Sequence, residues 1–213
     1  MKRDRQTKEK LLKAAKEEFL DKGYMRASLR NICRKAEVTT GALYFFFQDK
    51  EDLFGALVEK PLRRIYEIMK EHYETEATSL PEVPEREDRE EIALLVAREQ
   101  EEHRKAAMRA VDYLYEYYEE FLLLLMKSQG SKYENCLDAF IELSEAHYRQ
   151  MAEVMDRLTG KKGLDDDTLH CIVHLQVSIF IQPVTHGLEK EKARRQMTSM
   201  VKFLMGGWYG LWQ

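Results

Sequence analysis

Cysteine, proline and glycine are all scarce in this 213-residue chain, which holds three, four and ten of them. The cysteines Cys33, Cys136 and Cys171 are odd in number, widely spaced and never in a C-x-x-C pair. That excludes a disulfide scaffold and a zinc finger. So little proline and glycine, with aromatics at 10%, exclude collagen-like and disordered classes. No apolar run reaches the roughly 18 residues of a membrane-spanning helix. The opening Met1-Lys-Arg-Asp-Arg-Gln-Thr7 lacks the apolar core of a secretion signal. A cytoplasmic protein with no membrane partner is the expectation.

What is present is 44% hydrophobic and 34% charged residues, enough to bury a core in one domain or two small ones. The net charge of −4 hides an asymmetry: residues 1–50 carry thirteen Lys/Arg against seven Asp/Glu, and the remainder twenty-one against thirty-one. A basic head on an acidic body points to a polyanion that meets only the head. A chance fluctuation of surface charge is the plain alternative.

Helical periodicity dominates, and no alternating strand run stands out. Leu11, Leu12, Ala15 and Phe19 mark one face of a first helix over 4–22, with Gly23 where a helix C-terminal glycine belongs. Ser28 is a candidate cap for a short second helix ending near Ala36, and Thr39 for a third over 40–46. Asp49 and Asp52 open a fourth helix over 50–73, interrupted by Pro61 as a kink or hinge. Residues 77–90 read as a loop, with helical pattern from 88 to 126, in two helices. Further helices are expected over 132–158, 167–187 and 190–206, before a Gly206-Gly-Trp-Tyr-Gly-Leu-Trp212 tail that folds back to cover its tryptophans.

The segment Ser28-Leu-Arg-Asn-Ile-Cys-Arg-Lys-Ala-Glu-Val-Thr-Thr-Gly-Ala-Leu-Tyr-Phe-Phe-Phe47 puts two short helices about a tight turn at Glu37-Val-Thr39. This is a helix-turn-helix, whose second helix is free to enter a major groove. Thr39, Thr40, Gly41 and Ala42 give that helix a small polar first turn, so its backbone can approach base edges. Val38, Leu43 and Phe47 seat it from behind.

Here the chain resembles the TetR family of bacterial transcriptional regulators. The matching run is Val38-Thr-Thr-Gly-Ala-Leu-Tyr-Phe-Phe-Phe-Gln-Asp-Lys-Glu-Asp-Leu53, with Phe19, Gly23, Tyr24, Ile32 and Ala36 at the family's core positions. The resemblance covers residues 5–58. It implies phosphate contacts from Tyr44, Lys50 and Ser28, and a recognition surface of Thr39, Thr40, Gly41, Ala42 and Phe45. Two departures stand out. Ala42 replaces a frequent Thr/Ser, and Phe46 a frequent His or Tyr. Few hydrogen-bond donors then face the bases, which shifts weight to phosphate contacts and shape, with direct readout from Thr40 and Arg30. Lys2, Arg3 and Arg5 are a candidate basic arm or an ordinary frayed terminus.

The fold expected is all-α: a three-helix DNA-binding domain over 1–49, joined by the helix over 50–73 to a helical effector-binding and dimerisation domain within 50–213. The resemblance implies a homodimer through helices over 167–206, with Ile172, Leu175, Ile179, Met197, Met200, Val201 and Leu204 supplying core and interface. It implies double-stranded DNA with a palindromic operator as partner. It also implies a small-molecule effector in the body, with Tyr113, Tyr117, Phe121, His147, Met151 and His174 as candidate lining. Core packing is the alternative for each of these six. His170 and His174, at i and i+4, can hold a metal with His147 or Cys136, but lack an H-E-x-x-H pattern; no metal and no cofactor are expected. No nucleophile motif or phosphate-binding glycine loop is found, so no enzyme activity is expected. The remaining classes are a regulator without an effector, constitutive or answering to a protein, and a soluble binding protein or enzyme with a vestigial head.

Overall fold

The computed structural model describes residues 2–78 and 89–212. Most of the expected 77–90 loop lies outside the described residues. Among the described residues regular structure is entirely helical, in the order α1 (Lys2–Arg26), α2 (Leu29–Ala36), α3 (Thr40–Phe46), α4 (Lys50–Thr78), α5 (Arg89–Glu116), α6 (Tyr118–Met126), α7 (Asp138–Thr159), α8 (Asp166–Thr185) and α9 (Lys190–Gly210). The chain forms two compact units: Met1–Arg64 with Tyr117–Cys136, and Ile65–Glu116 with Leu137–Gln213.

The first unit is built on the apolar stripe of α1. Leu11, Ala15 and Phe19 are fully buried, as are Ile32, Leu43, Leu53, Phe54 and Val58 from the next three helices. Phe19 and Phe54 meet edge to face, with ring centroids 5.0 Å apart. Gly23 leaves helical geometry at φ 72°, a conformation open to glycine because it has no Cβ. The turn after α2 is made by Glu37 itself in the left-handed region (φ 57°). There the Glu37 and Val38 N–H groups donate to the carbonyls of Arg34 and Cys33 at 3.2 and 3.0 Å.

Thr39 caps α3 as expected: its Oγ1 accepts the Ala42 N–H at 3.1 Å. The start of α4 is a reciprocal arrangement, in which Asp49 accepts from the Asp52 N–H at 2.8 Å and Asp52 accepts from the Gln48 N–H at 2.9 Å. Ser28 behaves differently from expectation. It occupies the N-cap of α2, but its hydroxyl makes no capping bond. The buried carboxylate of Glu18 serves this helix start instead, accepting from the Ser28 backbone, from Asn31 Nδ2 at 3.3 Å and from Lys35 Nζ at 3.0 Å. Burial would push that carboxyl up, but these three donors outweigh it and hold it below the ordinary range.

Residues 117–136 complete the same core although they lie far along the chain. Phe121, Leu123 and Leu124 are buried, Lys16 of α1 pairs with Glu119 and Glu120 at 3.0 and 2.7 Å, and the Tyr24 N–H donates to the Lys127 carbonyl at 2.8 Å. Tyr133 rests on Gly55, where a Cβ would stand 2.6 Å from its Oη, and that hydroxyl donates to Glu59 at 3.2 Å. The helix expected from 132 starts only at Asp138. Serines explain the delay: Ser131 Oγ donates to the Ser128 carbonyl at 2.6 Å and accepts the Tyr133 N–H at 3.1 Å, giving the backbone local partners outside a helix.

The second unit has two apolar clusters. Ala107, Met108 and Val111 of α5 pack with Ala193, Met197, Val201 and Met205 of α9, with Ile179 and Met200 at the edge. Met151, Ala152 and Leu169 enclose Trp208 and Trp212. The expected tail is a continuation of α9 as far as Gly210, and its tryptophans are indeed covered. Trp212 Nε1 donates to Asp156 at 2.7 Å and its ring lies so close to Gly163 that no Cβ fits there. Asp165 caps α8 by accepting the Thr168 N–H at 2.7 Å. α8 spans 20 residues with a mean hydropathy of 1.2 in its 18-residue window, of which 22% is buried. By length and composition alone it is apolar enough to cross a membrane, although it holds no unbroken apolar run of that length.

Candidate nucleic-acid interface

The α2–turn–α3 segment separates a seated face from an open one. Leu43 and Phe47 are buried beneath α3, whereas Arg30, Thr39, Thr40 and Gly41 are exposed and Tyr44 and Phe45 stand 58% and 76% accessible. Large aromatic side chains are normally withdrawn from water, so two of them adjacent and outward on a seven-residue helix mark a contact surface. Ala42 is half-buried. A Cβ on Gly41 would meet nothing closer than Thr39 Oγ1 at 3.8 Å, so the protein's own packing does not require glycine there. Arg30, Asn31, Arg34 and Thr40 line a cleft beside this face, with Val38 and Cys33 at its floor.

Lys50 donates to the Met25 carbonyl at 3.2 Å and lies 4.5 Å over the ring of Tyr24. Its ammonium is thereby held at the start of α4. The candidate arm is helical from Lys2, with Arg5 paired to Glu9 at 3.0 Å, so α1 continues where a frayed terminus was an alternative.

Residues 11–57 of this surface and its core match the family described as bacterial regulatory proteins, tetR family. Over those residues the chain is similar to the TetR family. It is similar to the HTH-type transcriptional repressor BepR of Brucella suis, 39% identical over 64 residues, which are 30% of this chain and 31% of that protein. It is also similar to the fatty acid metabolism regulator protein of Bacillus subtilis, 26% identical over 98 residues, 46% of each chain. The matched stretch is thus less than half the length of either relative. Over the whole fold, the crystal structure of the transcriptional regulator FadR from Bacillus subtilis in complex with stearoyl-CoA superposes with a TM-score of 0.57 at 15% identity, covering 93% of this chain and 97% of that one.

The six candidate effector residues are divided between the two units. Tyr117 and Phe121 belong to the first unit, where Phe121 is part of the core; Tyr113, His147, Met151 and His174 belong to the second. The helix bearing Tyr113 ends at Glu116, so Tyr113 and Tyr117 do not share one helical face as their spacing implied. Met151 packs with the tryptophans. His174 is exposed, its ring 4.3 Å from that of His170, and His170 bonds Glu145 at 2.5 Å.

His147 sits in a buried polar cluster that sequence reasoning missed. Its Nε2 lies 3.0 Å from Glu76 Oε2, while His103 Nε2 lies 3.2 Å from Glu76 Oε1. His72 Nε2 faces His103 Nδ1 at 3.1 Å. The ring of His147 stacks on Tyr73 at 4.0 Å, and the Tyr73 hydroxyl meets Ser144 at 3.0 Å. Burial, reinforced by His103, pushes His72 down to about 4, so this imidazole is neutral near pH 7. Burial would raise the Glu76 carboxyl, but His103 and His147 outweigh it and hold it well below the carboxylate range. The available signal was His72-x-x-x-Glu76, two ligating types one helical turn apart.

Proposed function

We propose that this chain is a non-enzymatic, DNA-binding transcriptional regulator, acting as a repressor whose dimer holds a palindromic operator. The observation that carries the reading is the outward display of Tyr44 and Phe45 on a helix seated by Leu43 and Phe47. In this reading α3 enters the major groove, with Thr40, Gly41 and Ala42 at its leading turn. Tyr44, Lys50 and the start of α2 at Ser28 meet phosphates, and Arg30 reaches a base edge or a phosphate beside them. One short helix specifies few bases, and a two-fold pair about 34–36 Å apart specifies a palindrome. Leu175 on α8 and Phe203 on α9 are 48% and 61% exposed, which supports those helices as the dimer surface. The poorly buried apolar α8 favours the same surface over a membrane span.

The effector reading is that a small apolar or aromatic molecule enters the second unit and favours a dimer geometry that grips DNA less well. Tyr113, His147, Met151 and His174 are its proposed neighbourhood, and the fatty-acid role named for the Bacillus subtilis relative makes long-chain acyl compounds the first probes. A coupling of about 1–3 kcal/mol is enough for such a response.

The test is enrichment from a randomised duplex pool, followed by a salt titration on the winning sequence. A two-fold-symmetric motif and a steep fall of affinity with salt are expected. Failure of the ligand-free protein to prefer any palindrome over random duplex refutes the reading.

A further inference from the structure

The buried cluster of the second unit carries chemistry that DNA binding does not use. Three helices converge on one carboxylate: α4 brings His72 and Glu76, α5 brings His103 and α7 brings His147. One ligand atom from each of His72, Glu76 and His103 lies within 4.8 Å of the other two. The side chains are between 5% and 18% exposed.

We propose that His72, Glu76 and His103 bind one divalent transition-metal ion, zinc by the character of its ligands, and that His147 holds the carboxylate in place for it. The hydrogen bonds of the cluster hold three metal-ligating side chains together, and that convergence points to an ion. A buried carboxylate is satisfied by two imidazoles, and Glu76 already has His103 on Oε1 and His147 on Oε2. His72 is a third. It lies 3.8 Å from Glu76 Oε2, beyond hydrogen-bond reach, and points a ring nitrogen at His103 at 3.1 Å.

One nitrogen from each imidazole and one carboxylate oxygen, all within 4.8 Å of one another, suit a common centre. With metal–ligand bonds of about 2.0–2.1 Å, ligand atoms at tetrahedral corners stand about 3.3–3.4 Å apart. One donor atom from each of the three lies within 4.8 Å of the other two, so turning the rings and the carboxylate toward one another brings them onto one ion. Imidazole with a single carboxylate is the donor set of zinc, nickel or copper rather than of calcium or magnesium. His147 plays the outer part: it donates to the carboxylate oxygen and is itself fixed by stacking on Tyr73. A divalent ion offsets one carboxylate charge and leaves a fourth position for water or an anionic ligand. Zinc binding here needs no organic effector and no DNA, although His147 is shared with the effector neighbourhood proposed above.

The full-length protein, stripped with a chelator and dialysed, is titrated with zinc chloride by calorimetry. One ion per chain is expected. His103→Gln and Glu76→Gln should each weaken it beyond the about 10–100-fold loss typical of an outer partner, and His147→Gln should fall within that range. The double variant His170→Gln/His174→Gln, on the exposed pair, should bind as the parent does. Cobalt(II) added to the unaltered protein gives a second measurement that does not depend on variants folding: intense visible bands of a four-coordinate ion are expected. Absence of stoichiometric zinc binding, a weak six-coordinate cobalt spectrum, binding that survives loss of both His103 and Glu76, or binding abolished by the His170/His174 change would each overturn the proposal.

Discussion

Replacing Gly41 by alanine separates the protein's own needs from those of its partner. At this position a new methyl meets only Thr39 Oγ1, 3.8 Å away, which is ordinary contact. Gly41 lies in the first turn of α3, and no positive φ is found there. Alanine is favoured over glycine inside a helix by about 0.8–1.0 kcal/mol, and by less near a terminus. The variant should therefore melt at the parent temperature or slightly above it. The duplex is another matter. If the first turn of α3 lies against base edges, one methyl group overfills that contact. Overpacking typically costs about 1–3 kcal/mol, which is about a 5- to 150-fold loss of affinity. Fluorescence anisotropy on the enriched duplex, beside thermal melting of the free protein, measures both. Unchanged affinity with unchanged stability would refute close approach of α3 to DNA. A large drop in stability would refute the account of open space around Gly41.

Gly55→Ala should destabilise the first unit by about 1–3 kcal/mol, because its Cβ would stand 2.6 Å from Tyr133 Oη; adding Tyr133→Phe should restore most of the loss, and melting of the single and double variants checks it. Glu18→Gln tests the carboxylate at the start of α2. Its folded pKa is depressed, so its stabilisation is present above the unfolded value of about 4.3 and is lost as pH falls through the folded value. Denaturant titrations of parent and variant should therefore differ at neutral pH and converge in acid. Leu175→Asp with Phe203→Asp should shift the protein from dimer to monomer in sedimentation while helicity is kept, since both side chains are exposed on the chain itself.

Local chemistry in the sequence was enough to find the helix-turn-helix segment. Thr39 caps the helix it was expected to cap, and Leu43 and Phe47 are the buried pair that seats it. Capping and periodicity act within a few residues, so they are visible in order. The start of α7 was misplaced because the turn before it is held by serine hydroxyls rather than by proline. Ser28 is a subtler case: the residue type fits the cap, but Glu18, ten positions earlier, already occupies the region. The polar cluster was hidden for a related reason. Paired-histidine spacing points to His170 with His174, while the convergent set pairs a histidine with a glutamate and draws its other members from two distant helices.

The return of residues 117–136 to the first unit bears on how the protein is made. The core behind α3 is not contiguous: the intervening chain from Ile65 to Glu116 must be synthesised before α6 can close it. A fragment ending at Arg64 would leave Gly55 and Phe54 without the ring of Tyr133, and Lys16 without Glu119 and Glu120. Such long-range closure adds an entropic cost and slows assembly relative to a locally connected bundle. During translation α1 and α4 are therefore made early, and the ring and carboxylates that complete their packing arrive only when residue 136 has cleared the ribosome.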